Sequence, residues 1–497
     1  MTNEDKLRKF HDWLERIAAY QMALTIIGID KTAKAPSQGA EYRNQKTALL
    51  SGDLMKIRND PEMYELMEEL SQEELDPENS RLVQLELESA RRNRSVPNED
   101  YVEYQKILGE SEEAWLKAKA AKDYGMYEPY LKRLLESYKH IVSFEDSSLD
   151  LYDRILDRNQ KGWTAARYDA LFEQIRSRLT PLIRRVSEAE PVDTSCLNQC
   201  FPADDQRRFM QRILNYIHFD PDWGKMSESE HPVTTGICWG DIRFTTKYRE
   251  YNTAMAVLST IHESGHAYYT HGMNPKYSGT ALAHVSAGMQ ESQSRFCENH
   301  LGRTKTFWEV HYPALQEIFP SQLSNVSLDT FWRALNESHP GEVRMDADEL
   351  TYPLHIMIRY ELEKDLFSGK LDTADLSAAW NEKYRAYLGV EVTDDEKGVL
   401  QDMHWPYALF GYFPTYTLGS AFAAQFNHAV RQNLDVDALL RENRYTEIMD
   451  WLKAHIHTYG NMHEADELIR MATGEDFNVS YYLDYLEEKY TNLYNLK

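Results

Sequence analysis

Thr260-Ile261-His262-Glu263-Ser264-Gly265-His266 is the stretch that most narrows what this chain can fold into. In an α-helix, residues four apart project from one face a turn apart, so His262 and His266 look the same way. Two imidazoles at that spacing can share one Zn²⁺, and Glu263 stands beside them as a base. The run before the motif, residues 254–261, is apolar and predicts a helix buried on several sides. The rest of the chain must wrap that helix closely enough to bring it a third ligand.

Most of what surrounds it reads as more helix. Gly and Pro are scarce, 22 and 17 in 497 residues, and strong helix formers are plentiful. Phe10, Trp13, Leu14, Ile17, Ala18 and Met22 recur at helical spacing and predict a helix over 6–27, ended by the turn at 36–39. A second helix starts near Tyr42, and Pro61, Pro77 and Pro97 punctuate further acidic ones. The long pattern over 101–141 should break at Pro129, and a helix over 164–185 should kink at Pro181. The first 220 residues thus read as helical support with no concentrated catalytic chemistry.

The texture changes at His231. Residues 231–248 are rich in Thr, Ile, Val and aromatics around a Gly240-Asp241 turn signal, which predicts a β-hairpin just before the motif helix. The free edge of such a sheet can hydrogen-bond an extended peptide and lay it over the metal. Helices are predicted over 290–300, 307–317, 328–337 and 344–364. A loop over 398–406 and an aromatic run over 410–416 follow, and the last 80 residues return to helix. No linker, repeat or low-complexity tract divides the chain, so residues 1–497 read as one catalytic domain with its motifs between 231 and 420.

A formal net charge of −25 argues against nucleic acid or an anionic membrane surface as partner. No apolar run reaches the length of a bilayer span. Cys196, Cys200, Cys238 and Cys297 are too few for a disulfide scaffold and read as reduced. Met1 to Lys6 leads into an amphipathic helix instead of an apolar signal core, so the expected location is cytoplasmic.

Catalytic zinc takes three protein ligands and keeps a position for water. Glu291, 25 residues after His266, is the candidate third ligand, with Glu298, seven residues further on the same predicted helix face, as its rival. The ion would acidify water and polarise a scissile carbonyl, and Glu263 would pass the water proton to the leaving amine. An oxyanion donor is also needed. The Tyr- and His-rich stretch from His404 to Tyr416 can supply it, but spacing does not choose the residue. Co²⁺ or Mn²⁺ would also suit these ligands.

Taken in order, these motifs resemble those of the carboxypeptidase Taq family of zinc metallocarboxypeptidases. His231-Pro232 matches the family's His-Pro-Phe with Val233 for Phe, and Asp241, Arg243 and Thr245 match Asp-x-Arg-x-Thr. The His-Glu-x-Gly-His helix is complete. Gln290-Glu291-Ser292-Gln293 stands where the family has His-Glu-Ser-x, which places the family's ligand glutamate on Glu291. Val343-Arg344-Met345-Asp346-Ala347-Asp348 matches Ile-Arg-x-x-Ala-Asp. Gly398, Gln401, Asp402, His404 and Trp405 match Gly-x-x-Gln-Asp-x-His-Trp, followed by the run 411–416. Gln290 in place of His touches hydrogen bonding beside the ion and leaves the ligand set whole.

The resemblance covers most of the chain. It implies a mainly α fold, with a long active-site cleft between two halves and a small β-sheet beside the zinc helix. It also implies a homodimer that removes single residues from peptides with a free C-terminal carboxylate, with broad specificity and poor action after proline. A guanidinium binds such a carboxylate bidentately, and the family's arginine motifs put that role on Arg344 and Arg243. His231, His404, Tyr412 and Tyr416 are further candidates for lining the cleft. The alternatives are a helical zinc endopeptidase or dipeptidyl-carboxypeptidase, and a non-catalytic peptide-binding protein with a structural metal. Glu263 counts against the last, since a structural site has no use for a base.

Overall fold

Prolines and acidic caps set the helix boundaries in the first part of the chain. The structure, a computed structural model, describes every residue except Lys34, Glu230, His231, Asn252 and Lys497. Helix α1 spans Asn3–Ala33. Pro61 and Pro77 each open a helix, and the carboxylates of Asp60 and Asp76 before them accept hydrogen bonds from the backbone N–H of Glu62 and Asn79. Pro129 sits in the first turn of the Glu128–Ser143 helix, so the long pattern breaks where expected. Pro181 lies inside the Ala165–Glu188 helix.

Phe10, Trp13, Leu14 and Ile17 of α1 join Leu66 and Leu87 in a small core that also contains Tyr277 and Leu282. Those last two follow the motif helix. The N-terminal helices are therefore packed directly onto the segment that leads to the third candidate ligand. The main core runs from Ala114 to Tyr494.

The sheet has three strands, β1 (Gly224–Glu228), β2 (Thr234–Cys238) and β3 (Asp241–Thr246), in the order β1-β3-β2. β2 and β3 form the expected antiparallel hairpin, and β1 adds to β3 in parallel. β1, Gly-Lys-Met-Ser-Glu, has no β-branched residue and no apolar alternation, which is why pattern reading passes over it. Ile242, Phe244 and Thr246 turn inward, and β3 lies on the motif helix. β1 and β2 are the two edge strands, and α1 lies alongside β2.

The motif helix α2 (Thr253–Gly272) buries Val257, Ile261, Ala267 and Tyr269, as its apolar lead-in requires. Helix α3 (Ala287–Arg295) crosses it and continues into a buried π-helical turn, Phe296–Gly302. The helix expected over 344–364 starts late. Only Arg344–Asp346 forms a 3₁₀ turn, and helix α4 spans Tyr352–Ser368. The Asp348 carboxylate accepts from the N–H groups of Leu350 and Thr351, which makes it the stop and the new start. Helix α5 (Pro414–Asn433) packs along α3.

Two glycines permit this crowding. A Cβ at Gly265 would lie 2.5 Å from the Gln293 carbonyl oxygen and 2.7 Å from the Ser294 Cα, both backbone atoms of α3. A Cβ at Gly419 would lie 2.6 Å from the Glu291 Cβ. Gly265→Ala gains roughly 1 kcal/mol of helix propensity but forces two backbones apart. A net loss of about 1–3 kcal/mol is expected, read as a lower urea midpoint, together with weaker metal retention.

Candidate metal and peptide site

Three ligand atoms converge where α2 and α3 cross. Glu291 Oε2 lies 3.8 Å from His262 Nε2 and 3.6 Å from His266 Nε2. The three candidate ligand atoms all fall within 4.8 Å of one another. Glu298 is not part of that group. Its Oε2 sits 3.0 Å from His262 Nδ1, on the far side of the ring. Glu298 shares a face with Glu291, since both reach His262 and Arg295, but it lies two turns further on and meets the Nδ1 side of the ring.

Each imidazole is held from behind. His262 Nδ1–H donates to Glu298, and His266 Nδ1–H donates to Gln290 Oε1 at 3.3 Å. That leaves both Nε2 lone pairs on the shared side. Two neutral imidazole nitrogens and one carboxylate oxygen, backed in this way, fit a divalent metal ion.

Arg295 ties the acidic groups together. Its Nε donates to Glu291 Oε1 at 2.7 Å and its Nη1 to Glu298 Oε2 at 3.1 Å, while Arg303 Nη2 reaches Glu298 Oε1 at 3.1 Å. Burial alone would raise the carboxyl of Glu291. Arg295 and the two histidines outweigh it and hold the group far below the usual range. Glu298 is held down in the same way, by Arg295, His262 and Arg303. Burial opposes a charged His262, yet Glu291 and Glu298 raise its pKa above the ordinary 6.5.

Glu263, next to the first histidine, is 7% exposed. Its Oε2 accepts a 2.6 Å hydrogen bond from the Thr234 hydroxyl of β2. The sheet edge and the candidate base are thus joined directly. The site opens into a cavity of 670 Å³ between α1 and the β2 edge, with Tyr412 and Tyr416 on its wall. Among the described residues, no Lys or Arg lines it.

The remaining candidates fall into two groups. Tyr412 and Tyr416 line the cavity with ring centres 5.3 Å apart. His404 stands behind them, its Nε2 3.2 Å from the Tyr416 hydroxyl, and burial pushes its imidazole down to about 3, so it is neutral. Arg344 is also behind the wall: it is buried, its Nη2 lies 2.8 Å from Asp402 Oδ1, and its guanidinium is 5.4 Å from the Tyr416 ring centre. Arg243, on β3, is paired bidentately with Asp241 and does not line the cavity. His231 lies outside the described residues. Sequence reading missed Thr234, Arg295 and the orienting side of Glu298. Only Arg295 left a signal, a cation four residues after a buried carboxylate.

Residues 9–490 match the family model described as carboxypeptidase Taq (M32) metallopeptidase. The chain is 38% identical to "Carboxypeptidase 1" of Bacillus subtilis over 98% of this chain and 99% of that protein. It is 36% identical to "Thermostable carboxypeptidase 1" of Thermus thermophilus, with 97% of each chain covered. The crystal structure of an M32 carboxypeptidase from Deinococcus radiodurans superposes with a TM-score of 0.96 at 32% identity, covering 99% of this chain and 100% of that one.

Glu298→Gln keeps the shape behind His262 but removes the anion shared by His262, Arg295 and Arg303. Metal affinity by chelator competition should fall about 10- to 100-fold. The site also has a pH signature. In metal-free protein the stabilisation from His262 is full below about pH 6.5 and is lost as the pH rises through its higher folded-state value. Metal needs the neutral imidazole. The melting-temperature gap between zinc-loaded and chelator-treated protein should therefore widen from about pH 6 to about pH 8.

Proposed function

The chain belongs to the carboxypeptidase Taq (M32) metallopeptidases, and from that premise we propose that it is a zinc-dependent enzyme removing single amino acids from the free C-termini of peptides, with broad specificity. The observation that carries this reading is the convergence of His262, His266 and Glu291 on one side of α2, with Glu263 beside them. Zn²⁺ is the proposed ion, with Co²⁺ or Mn²⁺ as substitutes. Held by those three residues, it supplies Lewis acidity to water and to the scissile carbonyl.

The protein's own groups do the rest. Glu263 accepts the proton of the attacking water and delivers it to the leaving amine, and Thr234 keeps its carboxylate aimed. The free edge of β2 pairs with the backbone of an extended peptide. Tyr412 and Tyr416 offer hydroxyl donors where negative charge develops on the carbonyl oxygen. Arg344 and Arg243 are the proposed partners of the terminal carboxylate. Both already hold a carboxylate, of Asp402 and Asp241, so binding substrate means exchanging one anion for another. His231 and His404 complete the proposed set, His404 through the Tyr416 hydroxyl.

The reading includes residues 1–497 working as one catalytic unit, a homodimer, and a cytoplasmic setting. No helix among the described residues is long and apolar enough to cross a membrane.

Two measurements test it. Tripeptides with a free C-terminus should lose one residue at a time by mass spectrometry, while C-terminally amidated copies stay intact. Equal cleavage of both would mark an endopeptidase. Glu263→Gln should keep its metal and lose about 10²- to 10⁴-fold in kcat; full turnover in that variant would remove the base role.

A further inference from the structure

Gln290 is the one residue of the ligand-bearing helix motif that departs from the pattern described above, and its hydrogen bond constrains it further. His266 Nε2 lies on the side shared with His262 and Glu291, where a bound ion would take its lone pair; the ring hydrogen is then on Nδ1, and the Gln290 amide oxygen accepts it at 3.3 Å. Fixing the oxygen also fixes the other end. The Gln290 side chain is half-buried and lines the cavity, and its Nε2 makes no hydrogen bond among the described residues. An N–H donor is thus presented to the cavity from the position next to Glu291. In a cavity whose described lining has no Lys or Arg, entering peptide oxygens meet neutral donors.

We propose that Gln290 is a binding and positioning residue with two partners: its amide oxygen clasps His266, and its amide nitrogen donates to an oxygen of the bound peptide. The chemistry explains the departure. A neutral imidazole also carries one acceptor nitrogen and one N–H, so histidine and glutamine offer the same pair of functions. At 3.3 Å the clasp is at the long end for N–H···O, so its effect on metal retention is at the low end of such contacts. The peptide half of this inference rests on the carboxypeptidase reading; the His266 half does not.

The test uses the full chain with Gln290→Met, Gln290→Glu and Gln290→His, each checked for an unchanged far-UV spectrum. Zinc affinity is measured by chelator competition with no peptide present. KM and kcat are then measured at saturating zinc on tripeptides with a free C-terminus. Gln290→Met should bind zinc about tenfold more weakly. Gln290→Glu, which keeps an acceptor, should bind zinc at least as tightly as wild type. At saturating zinc both should raise KM about tenfold, the loss of one hydrogen bond. Gln290→His should restore both properties to within about threefold of wild type.

Wild-type zinc affinity in Gln290→Met would overturn the clasp. A KM increase in Gln290→Glu alone would be charge repulsion and would overturn the donor role. A wild-type protein that binds zinc but releases no terminal residue would sink the proposed function, and the zinc affinities would still decide the clasp.

Discussion

Everything at the site depends on one buried run of alternating charge, Glu291–Arg295–Glu298–Arg303. Two carboxylates buried about two helical turns apart would ordinarily neutralise, because desolvation and mutual repulsion both favour the protonated form. Here Arg295 bridges them, and its guanidinium lies 4.6 Å from the Tyr352 ring centre. Arg303 closes the far end on Glu298. The four formal charges cancel, so Glu291 stays an anion without an unpaired charge in the core. A metal ligand needs that state. The ladder also holds Glu298 at the Nδ1 side of His262, within reach of both arginines.

The sheet contributes through contact as well as through its edge. Thr234 belongs to the strand that faces the cavity and holds the Glu263 carboxylate. In the proposed reading, a peptide laid along β2 would lie beside the candidate base Glu263. The N-terminal helices take part from the other side. Tyr277 and Leu282, between α2 and α3, are buried in the small core built by α1 and its neighbours. The supporting part therefore fixes the segment that brings Glu291 to the histidines, and α1 walls the cavity.

A second buried cluster accounts for two of the remaining motifs together. Asp402 holds Arg344 and also Arg359 at 3.2 Å, and the Arg359 guanidinium lies 3.8 Å from the Trp405 ring centre. His404 reaches the Tyr416 hydroxyl from the same layer. Residue 344 is far in sequence from 402, 404 and 405, yet they form one layer behind the aromatic wall. They act on the cavity through Tyr416, whose ring packs against Arg344.

How much of this was legible varied with the range of the interaction. Local chemistry was readable. The spacing of His262 and His266, the apolar lead-in, the proline breaks and the β2–β3 hairpin all follow from neighbours within about one or two turns. Longer spacings narrowed the choice without making it. Glu291 and Glu298 were both reached as ligand candidates on one face, and only the fold puts Glu291 at the Nε2 side of His262 and Glu298 at Nδ1. The helix expected from Arg344 starts late, since the Asp348 cap competes with a helical pattern that looks continuous.

Sequence alone therefore determined the kind of chemistry: a helix presenting two imidazoles and a carboxylate, in a mainly helical chain. Tertiary structure decided which oxygen joins the imidazoles, which side chains hold their far nitrogens, and that Arg344 and Arg243 are each paired with an aspartate and do not line the cavity. The physical reason is that helix period is set by bonds between near neighbours, whereas ligand convergence and ion pairing are set by how closely separate helices approach. In this protein that approach is allowed by the missing side chains of Gly265 and Gly419, whose partners lie far along the chain.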